Sequence, residues 1–408
     1  MRKQGVIGRR ALVVVAALLA ALATAAAPAS GQTLAQRLDR ALTVQGVSRA
    51  QTGAFAIELS AGRVVYGLNR SRSLAPASNE KLGVALAALE RLGISYRIRT
   101  EVLGAGSRSG STWQGRLVLK GYGDPTLSAA DLRALAASVR SAGIRRVTGR
   151  IVGDETYFDK RRVAAGWKAS YYKLESPPLS ALVVDRARVA GHTVDNPALA
   201  AAKAFRRALI AAGVGVAGKA VVGGAPGGST VLAFVRSGPV SAIVRRMNKV
   251  SDNFYAEMLV KHLGRKLRGA GTTVAGCLVV RRVLEARKVP LAGVRIADGS
   301  GLSSYDRTTA RAIGALLLSA WRDPAVRRPF FASLAIAGVD GTLEDRMESG
   351  PAFRKVRGKT GTTSMASALS GYAGTRYAFA VLQNGHPISY SRARIAQDRF
   401  AQALARNL

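Results

Sequence analysis

Ser78-Asn79-Glu80-Lys81-Leu82-Gly83-Val84-Ala85-Leu86-Ala87-Ala88-Leu89 is the stretch on which the reading of this 408-residue chain turns. Leu82, Ala85, Leu86 and Leu89 recur at helical spacing and predict a buried helix. A serine and a lysine at i and i+3 of such a helix share a face. Ser78 stands at the predicted helix start, where backbone donors and the dipole favour developing negative charge. Lys81, if buried near other cations, has a lowered pKa and can take the hydroxyl proton. By itself the pattern does not separate a nucleophile and its base from an N-capping serine beside a surface lysine. Ser-x-x-Lys occurs again at Ser170-Tyr171-Tyr172-Lys173, among loop residues before Ser176-Pro177-Pro178.

Two further motifs follow in order. Ser251-Asp252-Asn253 is the only Ser-x-Asn in the chain. Its hydroxyl can relay a proton between Lys81 and a leaving amine, and Asn253 can hold Lys81 and a substrate amide. The plainer alternative is a helix-capping loop. Lys359-Thr360-Gly361-Thr362 holds the only Lys-Thr-Gly, with a short strand predicted after it through Ala368-Leu369-Ser370-Gly371-Tyr372. The glycine lets a substrate strand lie against this edge. Lys359 with the hydroxyls of Thr360 and Thr362 suits a terminal carboxylate. The N–H groups of Thr362 and Ser78 suit an oxyanion hole. The alternative is a solvated strand end with a surface lysine. In this order the three motifs equip a serine acyl-transfer site that uses no histidine.

No competing chemistry is visible. The three histidines, His192, His262 and His386, stand in no nucleophile-elbow or metal-ligand arrangement, and there is no Walker sequence. No cofactor and no metal are therefore expected. Cys277, the only cysteine, lies in an apolar helical context and reads as a buried structural thiol. The net charge is +37, and +33 without the four basic residues of the leader. Such a balance attracts polyanions. Zinc-ligand spacing, aromatic-basic RNA motifs and a long basic arm are all missing, so nucleic acid is not the expected partner. Anionic wall polymers or acidic membrane headgroups fit better.

Arg2, Lys3, Arg9 and Arg10, the apolar run Ala11 to Ala27, and Ala27-Pro28-Ala29 read as a signal peptide over residues 1–29. An exported protein, in the periplasm or the extracytoplasmic wall space, is the expectation. Further on, Leu34 to Leu42 reads as a short helix, and Gly53 to Leu59 with Gly62 to Tyr66 as a hairpin. From Ile94 the texture becomes short strands, Arg97 to Val102, Gly115 to Lys120 and Val147 to Val152. Amphipathic helices are expected at Asp131 to Ala142 and from Asn196-Pro197 to Ala212. Ile395, Phe400 and Leu404 mark a terminal helix that packs on the core. This layout suggests a catalytic domain in two segments, residues 30–92 and 240–408, with residues 93–239 inserted as a separate domain. The N-terminal strands should join a sheet completed by the C-terminal ones.

The flanks of the motifs carry a resemblance. Asn248-Lys249-Val250-Ser251-Asp252-Asn253-Phe254-Tyr255-Ala256-Glu257, Asp298-Gly299-Ser300-Gly301-Leu302-Ser303, Ala337-Gly338-Val339-Asp340-Gly341-Thr342-Leu343, Gly358-Lys359-Thr360-Gly361-Thr362, Gly123-Asp124-Pro125-Thr126-Leu127 and Gly149-Arg150-Ile151-Val152-Gly153-Asp154 resemble the D-alanyl-D-alanine carboxypeptidase/endopeptidases of peptidase family S13, the class C low-molecular-mass penicillin-binding proteins. The resemblance implies an α/β (α+β) fold. Its core would be a serine β-lactamase/transpeptidase-like domain, an antiparallel sheet flanked by helices, with an inserted mostly β domain. It implies Ser78 as the acylated nucleophile, Lys81 as its base, Ser251 and Asn253 as the second element, and Lys359 as carboxylate anchor. Peptidoglycan stem peptides and cross-links would be substrates and β-lactams inhibitors. The alternatives are a β-lactamase or esterase using the same motifs, and a non-catalytic wall-binding protein. Two departures stand out. The stretch from Ser78 to Ser251 is short for the family, which implies that a further small domain within the insertion is missing or vestigial. Thr362 is followed by Thr363-Ser364-Met365 rather than the more usual leucine. An acidic residue in Asp154-Glu155 is a candidate partner for the free amine of a diamino acid side chain.

Overall fold

In a computed structural model, which describes Met1 and residues 32–408, helix α1 (Leu34–Leu42) leads into the hairpin β1 (Thr52–Glu58) and β2 (Val64–Leu68). A 3-10 turn over Ala77–Glu80 and helix α2 (Lys81–Arg91) follow. The leader expected over residues 1–29 lies, Met1 apart, outside the described residues. The middle of the chain forms β3 (Arg99–Ser109), β4 (Thr112–Gly121), α3 (Ala129–Ser141), β5 (Arg146–Val147), β6 (Ile151–Asp154), the ribbon β7 (Arg188–Val189) and β8 (His192–Thr193), α4 (Pro197–Ala211), β9 (Gly215–Val216), β10 (Ala220–Val222) and β11 (Thr230–Arg236). Then come α5 (Val240–Lys249), α6 (Asn253–Arg268), α7 (Thr273–Ala286), α8 (Ala310–Arg322) and α9 (Pro324–Ser333). The chain closes with β12 (Ala335–Ile336), β13 (Val356–Thr363), β14 (Ala366–Ala373), β15 (Tyr377–Asn384) and α10 (Tyr390–Ala405). No described helix is long and apolar enough to cross a membrane.

Both ends of the chain meet in one antiparallel sheet of order β12-β13-β14-β15-β1-β2, in which Thr52 to Glu58 run opposite Gln383 to Tyr377. Side chains alternate between its faces. Phe55, Ile57, Ala378, Ala380 and Leu382 join the core around α2 and α8, while Ala54, Ala56, Phe379 and Val381 pack on α1 and α10. Because helices cover both faces, β14 is buried along its whole length. Helix α2 is buried on every side from Lys81 to Leu89, as a helix apolar all round must be. The surrounding helices α5 to α9 fix its position.

The middle segment builds a mixed sheet of order β10-β6-β4-β3-β11, with β5 and β9 attached at one end. Helices α3 and α4 cover it, burying Leu132, Leu135, Phe205 and Leu209 against Val102, Leu117, Leu119 and Ile151. Both helices start where the caps are. Ser128 and Asp131 form a reciprocal capping box, and Asn196 accepts from the Leu199 N–H before Pro197. The strand expected from Val147 to Val152 is divided into β5 and β6, because the Thr148 hydroxyl replaces a ladder partner by accepting from the Gly115 N–H (3.0 Å). In α10 the buried stripe is Ala393, Ala396, Phe400 and Leu404, and Ile395 is exposed, one position off the expected face.

Candidate active site

Ser78 does not open an α-helix. It sits in the 3-10 turn, and α-helical geometry begins at Lys81. Side chains at i and i+3 eclipse in a 3-10 turn, so the tighter winding places Lys81 Nζ 2.8 Å from Ser78 Oγ. Ala77, just before the serine, is in the left-handed region at φ +46°. A loop over residues 298–303 braces it. Gly301, itself at φ +81°, lies so close that a Cβ there would stand 1.9 Å from the Ala77 carbonyl oxygen.

Lys81 is fully buried. Its ammonium also donates to Asn253 Oδ1 (2.8 Å) and the Ser300 carbonyl (2.6 Å). Burial pushes its pKa down to about 8, against the pull of the carboxyls of Asp298, Glu257, Asp252 and Glu80. Several of these acids build the pocket. Glu257 accepts from the Gly299 and Ser300 N–H groups at 2.9 and 2.8 Å, and Asp298 from those of Gly301 and Ser303 at 2.7 and 2.8 Å. Burial, reinforced by the Asp298 charge, raises the Glu257 carboxyl to about 8.

The second motif caps α6. Asp252 accepts from the Tyr255 N–H, and Asn253 is the first helical residue. Ser251 is strained at φ +59°, and its Oγ accepts from Lys359 Nζ at 2.8 Å. Lys359 is buried completely, with its remaining contact to the Thr360 carbonyl at 2.8 Å. Burial, with the nearby Lys81 charge adding to it, holds its pKa well below the usual lysine value. The third motif lies inside β13 rather than ahead of a strand, with Lys359 opposite Ser370 and Gly361 opposite Ala368 of β14. β12 pairs with Arg357 and Gly358, so from Lys359 onward that outer edge has no strand partner among the described residues. The close approach at Gly361 is made by the turn that carries Ser78. A Cβ there would meet Pro76 O at 2.9 Å and Ala77 Cβ at 3.1 Å.

These elements surround a cleft of about 260 Å³ whose wall includes Ser78, Ser251, Asn253, Thr360 and Thr362. Lys81 and Lys359 lie buried behind Ser78 and Ser251. All seven residues singled out from the motifs are thus brought together. Ser170-x-x-Lys173 is not part of this group, for Lys173 Nζ pairs with Asp195 at 2.8 Å. Asp154 and Glu155 are also elsewhere. Asp154 accepts from Thr156 and Ala225, Glu155 is paired with Arg162 and Ser180, and neither lines the cleft. The carboxylate in the wall is Glu175, whose main-chain oxygen accepts from Asn253 Nδ2 at 3.1 Å. Leu302, Thr342, Arg346 and Arg394 complete the lining. Leu302 and Thr342 fall in stretches already singled out for their resemblance. Glu175, Arg346 and Arg394 carry no local pattern that could have marked them.

The middle segment also roofs the site. Trp167 Nε1 donates to Asp298 Oδ2 (2.8 Å), Lys168 Nζ to Ser364 Oγ (2.8 Å), and Arg186 pairs with Asp252 (2.7 Å).

Comparison with known proteins identifies the family and the fold. The profile of the D-Ala-D-Ala carboxypeptidase 3 (S13) family matches residues 34–193 and 187–407. A D-alanyl-D-alanine carboxypeptidase from Actinomadura sp. (strain R39) is 33% identical over 451 residues, covering 89% of this chain and 83% of the relative. Among solved structures, penicillin binding protein 4 (dacB) from Haemophilus influenzae superposes with a TM-score of 0.80 at 22% identity, over 92% of this chain and 99% of the other. The same protein complexed with a β-lactam gives a TM-score of 0.76 at 21% identity, with the same coverage.

Proposed function

The chain belongs to the D-Ala-D-Ala carboxypeptidase 3 (S13) family, and from that premise we propose that it is an exported serine D,D-peptidase acting on peptidoglycan through an acyl-enzyme at Ser78. The observation that carries the proposal is the set of partners around Lys81 Nζ. Asn253 Oδ1 and the Ser300 carbonyl can only accept, whereas Ser78 Oγ can also donate. A neutral amine has two N–H donors and one lone pair. With both donors engaged by the pure acceptors, the lone pair is left facing the serine hydroxyl.

Ser78 Oγ then attacks the carbonyl between two D-configured residues and passes its proton to Lys81. The N–H groups of Ser78 and Thr362 receive the oxyanion. The leaving amine, free D-alanine or the amine of a cross-linked diamino acid, takes its proton through Ser251. Lys359 acts from behind, by holding Ser251 Oγ, rather than as an exposed anchor. Thr360 and Thr362 present hydroxyls to the leaving residue, and water hydrolyses the acyl-enzyme. A β-lactam enters the same path, because its strained amide mimics the scissile one. The open edge of β13 suits an extended peptide laid antiparallel along it.

The inserted part, residues 93–239, is read as a reduced version of the family's insertion. In support, the family match divides at residues 187–193, on the β7–β8 ribbon. Export rests on the leader pattern, and the high positive charge favours anionic wall polymers or a membrane surface as a secondary partner. The test of the activity is incubation of the protein without residues 1–29 with purified pentapeptide and cross-linked muropeptides, the products being identified by mass. Loss of one D-alanine from the pentapeptide, or conversion of dimers to monomers, is expected. Unchanged muropeptides would refute the proposal, and rapid turnover of penicillin in their place would support the β-lactamase alternative.

A further inference from the structure

We infer that Arg394, on the terminal helix α10, is the cation that receives the carboxylate of the leaving residue. The inference rests on reading the cleft as a D,D-peptidase site. A substrate ending in a free D-amino acid brings a carboxylate next to the scissile amide, and drawing it out of water into a cleft calls for a cation with matched donors. Four cations are close to the cleft on the β13 side. Lys168 spends its ammonium on Ser364 Oγ at 2.8 Å and does not line the cleft. Lys359 is wholly buried, with Nζ on Ser251 Oγ and the Thr360 carbonyl. Arg346 is in the wall, but its guanidinium is already neutralised by Asp398 at 2.6 Å and bonded to Gln397 at 3.2 Å. Arg394 is in the same wall, is exposed, and has no acidic partner among the described residues.

The helix holds that guanidinium in place. One turn earlier on the same face, Tyr390 donates its hydroxyl to the Thr363 carbonyl at 2.9 Å, one residue beyond Thr362. Just after it, Gln397 Nε2 reaches Ser367 Oγ and Gln383 Oε1, both at 2.9 Å, on β14 and β15. Arg394 is therefore carried by a helix fastened to the strand that bears Thr360 and Thr362. Its planar fork can take both oxygens of a carboxylate that those hydroxyls also touch. The carboxylate of Glu175 faces Asn253 Nδ2 at 3.4 Å instead.

The test uses two substrates with the same acyl part, one ending in D-Ala-D-Ala and one in D-Ala-D-alaninamide. Arg394→Ala should lower kcat/KM on the free acid by about tenfold or more, chiefly through KM, and lower it far less on the amide. Arg394→Lys should recover part of the loss. Equal losses on both substrates, or no loss on the acid, would overturn the assignment. A wild-type protein that cleaved neither substrate would instead refute the D,D-peptidase reading beneath it. Since Arg394 is exposed, the variant should unfold at the wild-type temperature, and a thermal melt checks this.

Discussion

Lys81 Nζ stands 2.8 Å from Ser78 Oγ while two pure acceptors hold its other protons. Buried there, with its pKa pushed down to about 8, the amine is a base only in its neutral form. The second-order rate of acylation by a β-lactam should therefore climb about tenfold per pH unit below pH 8 and level off above it. Rapid-mixing kinetics from pH 6 to 10 measures this. Lys81→Met should remove the limb along with most of the rate, and a flat wild-type profile would exclude Lys81 as the base.

Glu257 shapes the acceptor behind the Lys81 amine. Its Oε1 takes the Gly299 and Ser300 N–H groups, and the Ser300 carbonyl then holds Lys81. Glu257→Ala strands two buried donors and should cost about 2–4 kcal/mol of stability. Glu257→Gln keeps an acceptor of the same shape and should cost much less. Urea unfolding of the two variants compares them, and equal losses would show that the accepted hydrogen bonds are not what Glu257 contributes.

At Gly301 two independent obstacles coincide. The backbone is at φ +81°, and an added Cβ would lie 1.9 Å from the Ala77 carbonyl oxygen. Gly301→Ala should lower stability by about 1–3 kcal/mol. It should also slow acylation at least tenfold, because the atom that must move belongs to the turn carrying Ser78. Thermal melts and penicillin labelling report the two effects separately.

His262 makes a prediction about acid. It is buried, with Nδ1 on the Tyr122 carbonyl at 2.9 Å and Nε2 on the Tyr96 hydroxyl at 3.2 Å. Burial pushes its pKa from 6.5 down to about 4. Between those values the unfolded chain binds a proton that the folded one does not. Its contribution is thus intact above pH 6.5 and is lost as pH falls toward 4, by about 3 kcal/mol in all. In His262→Gln the difference in unfolding free energy between pH 7 and pH 4.5 should shrink accordingly.

Much of this was legible from short range. Ser78, Lys81, Ser251, Asn253 and Lys359-Thr360-Gly361-Thr362 announce themselves because three motifs stand in order, and α1, α3 and α4 because caps and apolar stripes agree. What escaped is set by distant pairings. The burial of Lys359 behind Ser251 cannot be seen until β13 is laid beside the capping turn of α6, and so its contact with Ser251 Oγ was not foreseen. Glu175 and Arg394 enter the cleft from a loop of the middle segment and from the last helix, with no pattern around either. Asp154-Glu155 looked available because two acids stood together, yet Asp154 is buried under its own turn and Glu155 is consumed by Arg162. Ile395 was one residue out of phase, which a helical stripe tolerates until the true neighbours are known.

The middle segment also closes over the cleft. Trp167 and Arg186 bond to Asp298 and Asp252, and Glu175 to Asn253, so the roof of the cleft is built by residues that sequence reading assigned to a separate inserted domain.

The central claim, a covalent acyl-enzyme at Ser78, is tested most directly by the intact mass of the protein after exposure to penicillin, followed by peptide mapping. The wild-type chain should gain the mass of one β-lactam on the peptide that contains Ser78, and Ser78→Ala should gain none. An adduct that persists in Ser78→Ala, or that maps to another peptide, would contradict the account.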